Sequence, residues 1–142
     1  MSYILLVEDN QNNADMVIRL LTTLKLPVRH VLRGVDGAKM ARAERPLLIL
    51  MDFNLPDVDG RTLTAMLKKQ LGGTAAPAII ALTARSGETE EQLAAAAGCS
   101  AFITKPFDPE DFRNMIRRFL ADQMNAMQAS AQPGAARGNE AQ

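Results

Sequence analysis

Apolar residues fall into five short runs: Tyr3–Val7, Val28–Leu32, Leu47–Met51, Ala78–Leu82 and Ala101–Thr104. The first, third and fourth are nearly unbroken in Leu, Ile and Val, as strands of a parallel sheet covered on both faces are. The stretches between them change period. Val17, Leu20, Leu21 and Leu24 recur at helical spacing, as do Leu63, Met66 and Leu67. Phe112, Met115, Ile116, Phe119 and Leu120 carry the same spacing through two turns.

Punctuation agrees with this division. Asp108-Pro109 offers a helix cap followed by proline at the first helical position, and Asp59 can cap the third helix. Gly72-Gly73 follows the third helix, and Gly98 stands where an alanine-rich fourth helix should end. The string is (βα) repeated five times, which predicts an α/β fold: a doubly wound, five-stranded parallel sheet with right-handed crossovers. Residues 1–121 form one expected domain. Residues 122–142, rich in Ala, Gln, Gly and Asn, are expected to be a helix extension fraying into a disordered tail.

Composition adds exclusions. The 142-residue chain has 16 basic and 16 acidic side chains and a formal net charge of zero, so no basic surplus suggests nucleic-acid binding. No run reaches the about 18 apolar residues of a membrane span, and no signal-like leader precedes the first strand, so a cytoplasmic location is expected. The single cysteine, Cys99, allows neither an internal disulfide nor a cysteine pair for zinc.

Open α/β sheets bind ligands at the carboxyl ends of their strands. Glu8-Asp9-Asn10 follows the first strand, Asp52-Phe53-Asn54 the third, Thr83-Ala84 the fourth and Lys105-Pro106 the fifth. In the strand order 2-1-3-4-5 the first and third strands are neighbours, bringing Glu8, Asp9 and Asp52 together. Three carboxylates at one edge need a counter-charge, and hard oxygen ligands suit Mg²⁺. Lys105 adds a fixed cation and Thr83 a hydroxyl, a set able to stabilise a phosphoryl group on a carboxylate. Taken singly, Glu8 and Asp9 read as caps or loop acids, Asp52 as a loop residue, Thr83 as a β-branched strand end and Lys105 as a solvated side chain. Their coincidence at four successive strand ends is the informative feature.

Those segments resemble the receiver domain of two-component response regulators, in its single-domain, chemotaxis-regulator-like form. Leu5-Leu6-Val7-Glu8-Asp9-Asn10 is similar to the acidic-pair segment, and Leu50-Met51-Asp52-Phe53-Asn54-Leu55-Pro56 with Gly60 to the phosphoacceptor loop. Ala81-Leu82-Thr83-Ala84 resembles the hydroxyl segment, and Phe102-Ile103-Thr104-Lys105-Pro106-Phe107 the lysine segment. The resemblance implies a flavodoxin-like (βα)5 fold and Asp52 as acceptor of phosphate from a sensor histidine kinase or histidine phosphotransfer protein. It implies Mg²⁺ held by Glu8, Asp9, Asp52 and the backbone carbonyl of Asn54. Lys105, ahead of a cis bond to Pro106, would pair with phosphoryl oxygens, while Thr83 and Phe102 would act as the switch. The output surface would be the fourth helix, fifth strand and fifth helix, meeting a downstream protein target without membrane insertion or direct nucleic-acid binding.

Phe102 lacks the hydroxyl of the Tyr found at that position in many family members. Asn54 and Arg85 stand where the family tunes its own dephosphorylation. A receiver that docks a partner without phosphorylation is one alternative; a haloacid-dehalogenase-like phosphohydrolase is another, although its two acids would stand one residue apart after the first strand. A flavodoxin-like FMN protein would have a Ser- and Thr-rich phosphate loop. His30 is expected to lie away from the strand-end site, Cys99 to be a small buried filler, and the eight methionines to be mainly core. Met124 and Met127 are the expected exceptions, extending the last helix as a sticky face; Arg117 and Arg118 are expected to be solvated, and Asp57 and Asp59 are expected to be turn and cap residues. The fourth helix has no bulky anchor after Leu93 and is expected to be weakly packed.

Overall fold

The computed structural model describes residues 2–84 and 87–131, and the side chains of these except Thr74 and residues 126–131. Arg85, the side chain of Met127 and the chain beyond Ala131 lie outside the described residues. Five strands, β1 (Ile4–Val7), β2 (Val28–Val31), β3 (Leu48–Asp52), β4 (Ala78–Thr83) and β5 (Ala101–Thr104), form one parallel sheet in the order β2-β1-β3-β4-β5. They alternate with α1 (Gln11–Leu21), α2 (Gly34–Ala43), α3 (Gly60–Gln70), α4 (Glu88–Ala97) and α5 (Pro109–Ala131).

The sequence texture follows from position in the sheet. β1, β3 and β4 are buried at every residue, whereas the edge strands β2 and β5 are mostly half-buried. Alternate side chains feed two cores. Ile4, Leu6, Leu48, Leu50, Ile80 and Leu82 meet α1 and α5 on one face. Leu5, Val7, Ile49, Met51 and Ile79 meet α2 and α3 on the other.

The helix signals operate as their chemistry suggests. Asn10 caps α1 by accepting from the Asn13 amide at 2.9 Å, and Asp59 caps α3 by accepting from Arg61 at 2.8 Å. Asp108 accepts from the amides of Glu110 and Asp111, both at 2.9 Å. Gly98 ends α4 at φ 107°, a left-handed conformation that favours glycine. α5 runs 23 residues, past Leu120, the last buried side chain among the described residues.

Two expectations need correction, while α4 buries as little as its sequence suggests. Among the described methionines Met51 is fully buried and Met40 and Met115 pack half-buried against the two cores, but Met16 and Met66 are 45% and 38% exposed; Met124, on the extension of the last helix, is 47% exposed. In α4 the residue that reaches the interior is Ala94, while Leu93 stays 39% exposed one position around the helix. Cys99 is only half-buried, since the turn after Gly98 leaves it lining a surface cavity.

Candidate phosphoacceptor site

The parallel register sets the carboxyl ends of β1 and β3 side by side, pairing Val7 with Met51. Glu8 and Asp52 therefore meet immediately beyond the last rungs, Glu8 fully buried and Asp52 only 4% exposed. Asp9, the next residue, is exposed at the mouth. One carboxylate oxygen from each of Glu8, Asp9 and Asp52 lies within 4.8 Å of the others.

Lys105 enters from the far side of the sheet. Its backbone amide donates to the Thr83 carbonyl at 2.7 Å, continuing the β4–β5 ladder, and the Lys105–Pro106 peptide is cis. Beyond it the rings of Phe107 and Phe112 stack with centroids 4.5 Å apart, seating the chain as it turns into α5. The Lys105 ammonium donates to Glu8 Oε1 at 2.7 Å and to Asp52 Oδ2 at 3.3 Å.

Two carboxylates share one ammonium, so the cluster remains net negative. Burial pushes the Glu8 carboxyl up to about 7, reinforced by its hydrogen bond with Asp52 and that residue's charge, with Lys105 pulling the other way. Burial alone would lower the Lys105 ammonium, but its bond to Glu8 and the charges of both acids outweigh this and raise it. Backbone amides take the outer oxygens: Asn54 donates to Asp52 Oδ1 at 2.9 Å and Asn10 to Glu8 Oε2 at 3.2 Å.

The donor set is three carboxylates without sulfur or imidazole, it is partly open to solvent through Asp9, and it carries more negative charge than Lys105 offsets. These properties fit a hard divalent cation that keeps several waters, such as Mg²⁺. Thr83 is buried at the end of β4. Because Ala81 pairs with Phe102 and Thr83 with Thr104, Thr83 and Phe102 share one face of the sheet. Phe102 lines a cavity of about 270 Å³ with Glu91, Ala94, Ala95, Cys99, Ser100 and Ala101.

Residues 4–117 match the response regulator receiver domain family. The chain belongs to that family. It is 36% identical over 118 residues to hybrid signal transduction histidine kinase G of Dictyostelium discoideum, covering 82% of this chain and only 3% of that kinase. It is 33% identical to the polar-differentiation response regulator DivK of Brucella anthropi, covering 84% of this chain and 96% of DivK. Among solved structures, the receiver domain of a sensor histidine kinase of Pseudomonas aeruginosa, with magnesium coordinated in its active-site cleft, is 32% identical with a TM-score of 0.75; the match covers 84% of this chain and 98% of that one.

The receiver fold thus brings together four of the side chains placed at the strand ends by the sequence, Glu8, Asp9, Asp52 and Lys105, and sets Thr83 at the end of the neighbouring strand β4. Two residues next to these elements make contacts that had no local signal. His30, expected away from the site, places Nε2 2.7 Å from the Glu8 carbonyl oxygen, and since a carbonyl only accepts, Nε2 carries the proton. The β1–β2 register pairs Leu6 with His30, and this brings the ring over the end of β1. Asp57 caps a distant helix: its Oδ1 and Oδ2 accept from the amides of Gly34 and Val35, each at 2.9 Å. The Val35 bond leads in holding its carboxyl below the usual range, burial opposing it and the Gly34 bond adding to it.

Cys99 stands apart from this chemistry. Burial pushes its thiol up to about 11, with Thr64 and Lys68 pulling the other way, so the nucleophilic thiolate is scarce at neutral pH.

Proposed function

We propose that this receiver is a stand-alone signalling module in which Asp52 accepts a phosphoryl group from a phosphohistidine on a sensor kinase or phosphotransfer protein. A carboxylate oxygen of Asp52 forms the new O–P bond as the P–N bond breaks, and the electron pair leaves with the donor imidazole. Glu8, Asp9, Asp52 and the Asn54 backbone carbonyl would hold Mg²⁺, which when bound neutralises phosphoryl oxygen charge. Lys105 already faces Asp52 and would turn its ammonium to the incoming oxygens. Glu8 would then rely on the cation in place of Lys105 for its counter-charge.

Thr83 would donate its hydroxyl to the phosphoryl group, and Phe102, on the same face, would repack as Thr83 moves. The cavity between α4 and β5 beside Phe102 supports this reading by leaving room for the ring; the output surface would be α4, β5 and α5, where a downstream protein would dock. The phosphoryl group biases that equilibrium only through its stronger interaction with one arrangement. A cytoplasmic location is part of the same reading. Among the described residues no helix is long and apolar enough to cross a membrane.

The observation that carries the proposal is Asp52 itself: a buried carboxylate, held by the Asn54 amide, facing a lysine and two further acids at one strand edge. Incubation with Mg²⁺ and acetyl phosphate, followed by intact mass, should show one phosphoryl adduct on wild type and none on Asp52→Ala. An unmodified wild type, or an equal adduct on the variant, would overturn it.

A further inference from the structure

The loop from Phe53 to Asp59 joins β3 to α3 and carries Asn54. At its near end the Phe53 amide donates to the Leu82 carbonyl at 3.1 Å, and at its far end the Gly60 amide donates to the Phe53 carbonyl at 3.4 Å. Between them the loop reaches outward through Asp57. Among the described residues, the two bonds from Gly34 and Val35 to its carboxylate are the loop's side-chain hydrogen bonds to an element other than α3.

These bonds end on the first turn of α2, whose own N-cap residue, Arg33, supplies no side-chain cap. Orphan amides at a helix start are ordinarily satisfied by the residue just before it. Here they are satisfied from 22 and 23 residues farther along the chain. Apolar contact reinforces the junction: a Cβ on Gly34 would fall 2.2 Å from Val58 and 3.3 Å from Leu55, both in the same loop. One turn on, a Cβ on Gly37 would fall 2.7 Å from Val7, the residue before Glu8. So α2 rests on the end of β1 and grips the acceptor loop.

We infer that Asp57 is a positioning residue that clamps the acceptor loop to α2, fixing the Asn54 carbonyl relative to Glu8 and Asp9. The inference rests on the cation-dependent phosphoacceptor reading above. It makes α2 the shared support for the two sides of the pocket, β1 and the acceptor loop. Groups that orient metal ligands from behind commonly govern affinity by about 10–100-fold when removed.

The test separates clamping from helix capping. Mg²⁺ affinity by calorimetry and melting temperature are measured for wild type, Asp57→Ala, Asp57→Asn, Arg33→Ser and the double variant Arg33→Ser/Asp57→Ala. Serine at position 33 supplies a local cap for α2 without touching the loop. Asp57→Ala should lose Mg²⁺ affinity by about tenfold and melt earlier. The double variant should recover the melting temperature but not the affinity, relative to Arg33→Ser. Asp57→Asn removes the same charge yet keeps one acceptor oxygen, so a smaller loss there assigns the effect to position rather than charge. Affinity unchanged in Asp57→Ala, equal losses in the alanine and asparagine variants, or affinity recovered together with stability in the double variant, would each overturn the clamp alone. A wild type that binds no Mg²⁺ would overturn the phosphoacceptor reading and the clamp with it.

Discussion

Glu8 is the residue whose state most depends on its neighbours. Its carboxyl is pushed up to about 7 first by burial and then by Asp52, so the two causes can be separated by substitution. Asp52→Asn removes the charge of Asp52 and leaves the burial. An NMR titration should therefore show the Glu8 carboxyl falling from about 7, since burial is then opposed by Lys105 without the help of the Asp52 charge. A value unchanged by the substitution would mean that the two carboxylates do not interact. The strand-end acids, the hydroxyl and the lysine were legible because each directly ends an apolar run, and a strand end is fixed by its own local pattern. His30 was not legible in this way. Its contact with Glu8 depends on the register of two strands, and a sequence pattern leaves that register open.

At the scale of elements, close backbone approach holds the acceptor loop as firmly as hydrogen bonds do. A Cβ on Gly60 would fall 2.7 Å from the Phe53 Cα and 2.8 Å from the Asp52 carbonyl oxygen, backbone atoms that cannot swing aside. Gly60→Ala should thus cost about 1–3 kcal/mol by overpacking in a denaturant titration and slow phosphorylation of Asp52 beside it. Full stability and an unchanged rate would show that the loop tolerates displacement. Asp57 illustrates what local patterns miss. It looks like a turn residue because its partners, Gly34 and Val35, precede it by more than 20 residues and belong to another helix. α4 is the opposite case: its alanines already announced a helix with little to bury, and Ala94 is its one buried residue. The choice of Ala94 over Leu93 as the inward residue depended on helix rotation, which an alanine-rich stretch does not specify.

For the whole molecule, equal numbers of acids and bases conceal a local excess of negative charge at one sheet edge. The raised Glu8 carboxyl makes that edge pH-sensitive. Glu8 binds its proton more tightly in the folded chain than at its ordinary value of 4.5. Its contribution to stability is therefore full below about 4.5 and is lost as pH rises through about 7. Mg²⁺ competes with that proton, so its stabilising effect should grow with pH. At about 100 times its dissociation constant a ligand adds about 2.7 kcal/mol. The rise in melting temperature with a fixed concentration of Mg²⁺ should be larger at about pH 8 than at about pH 6. An equal rise at both would separate the cation from Glu8.

The central claim is that Asp52, and no other side chain, carries the phosphoryl group. The most direct measurement is borohydride reduction of the chain after incubation with Mg²⁺ and acetyl phosphate, followed by peptide mapping. Reduction of an acyl phosphate on aspartate leaves homoserine, which marks the acceptor covalently. The expected result is homoserine in place of Asp52 and unmodified Glu8 and Asp9. Homoserine at another aspartate, or an unreduced Asp52 in a chain shown by mass to carry phosphate, would contradict it.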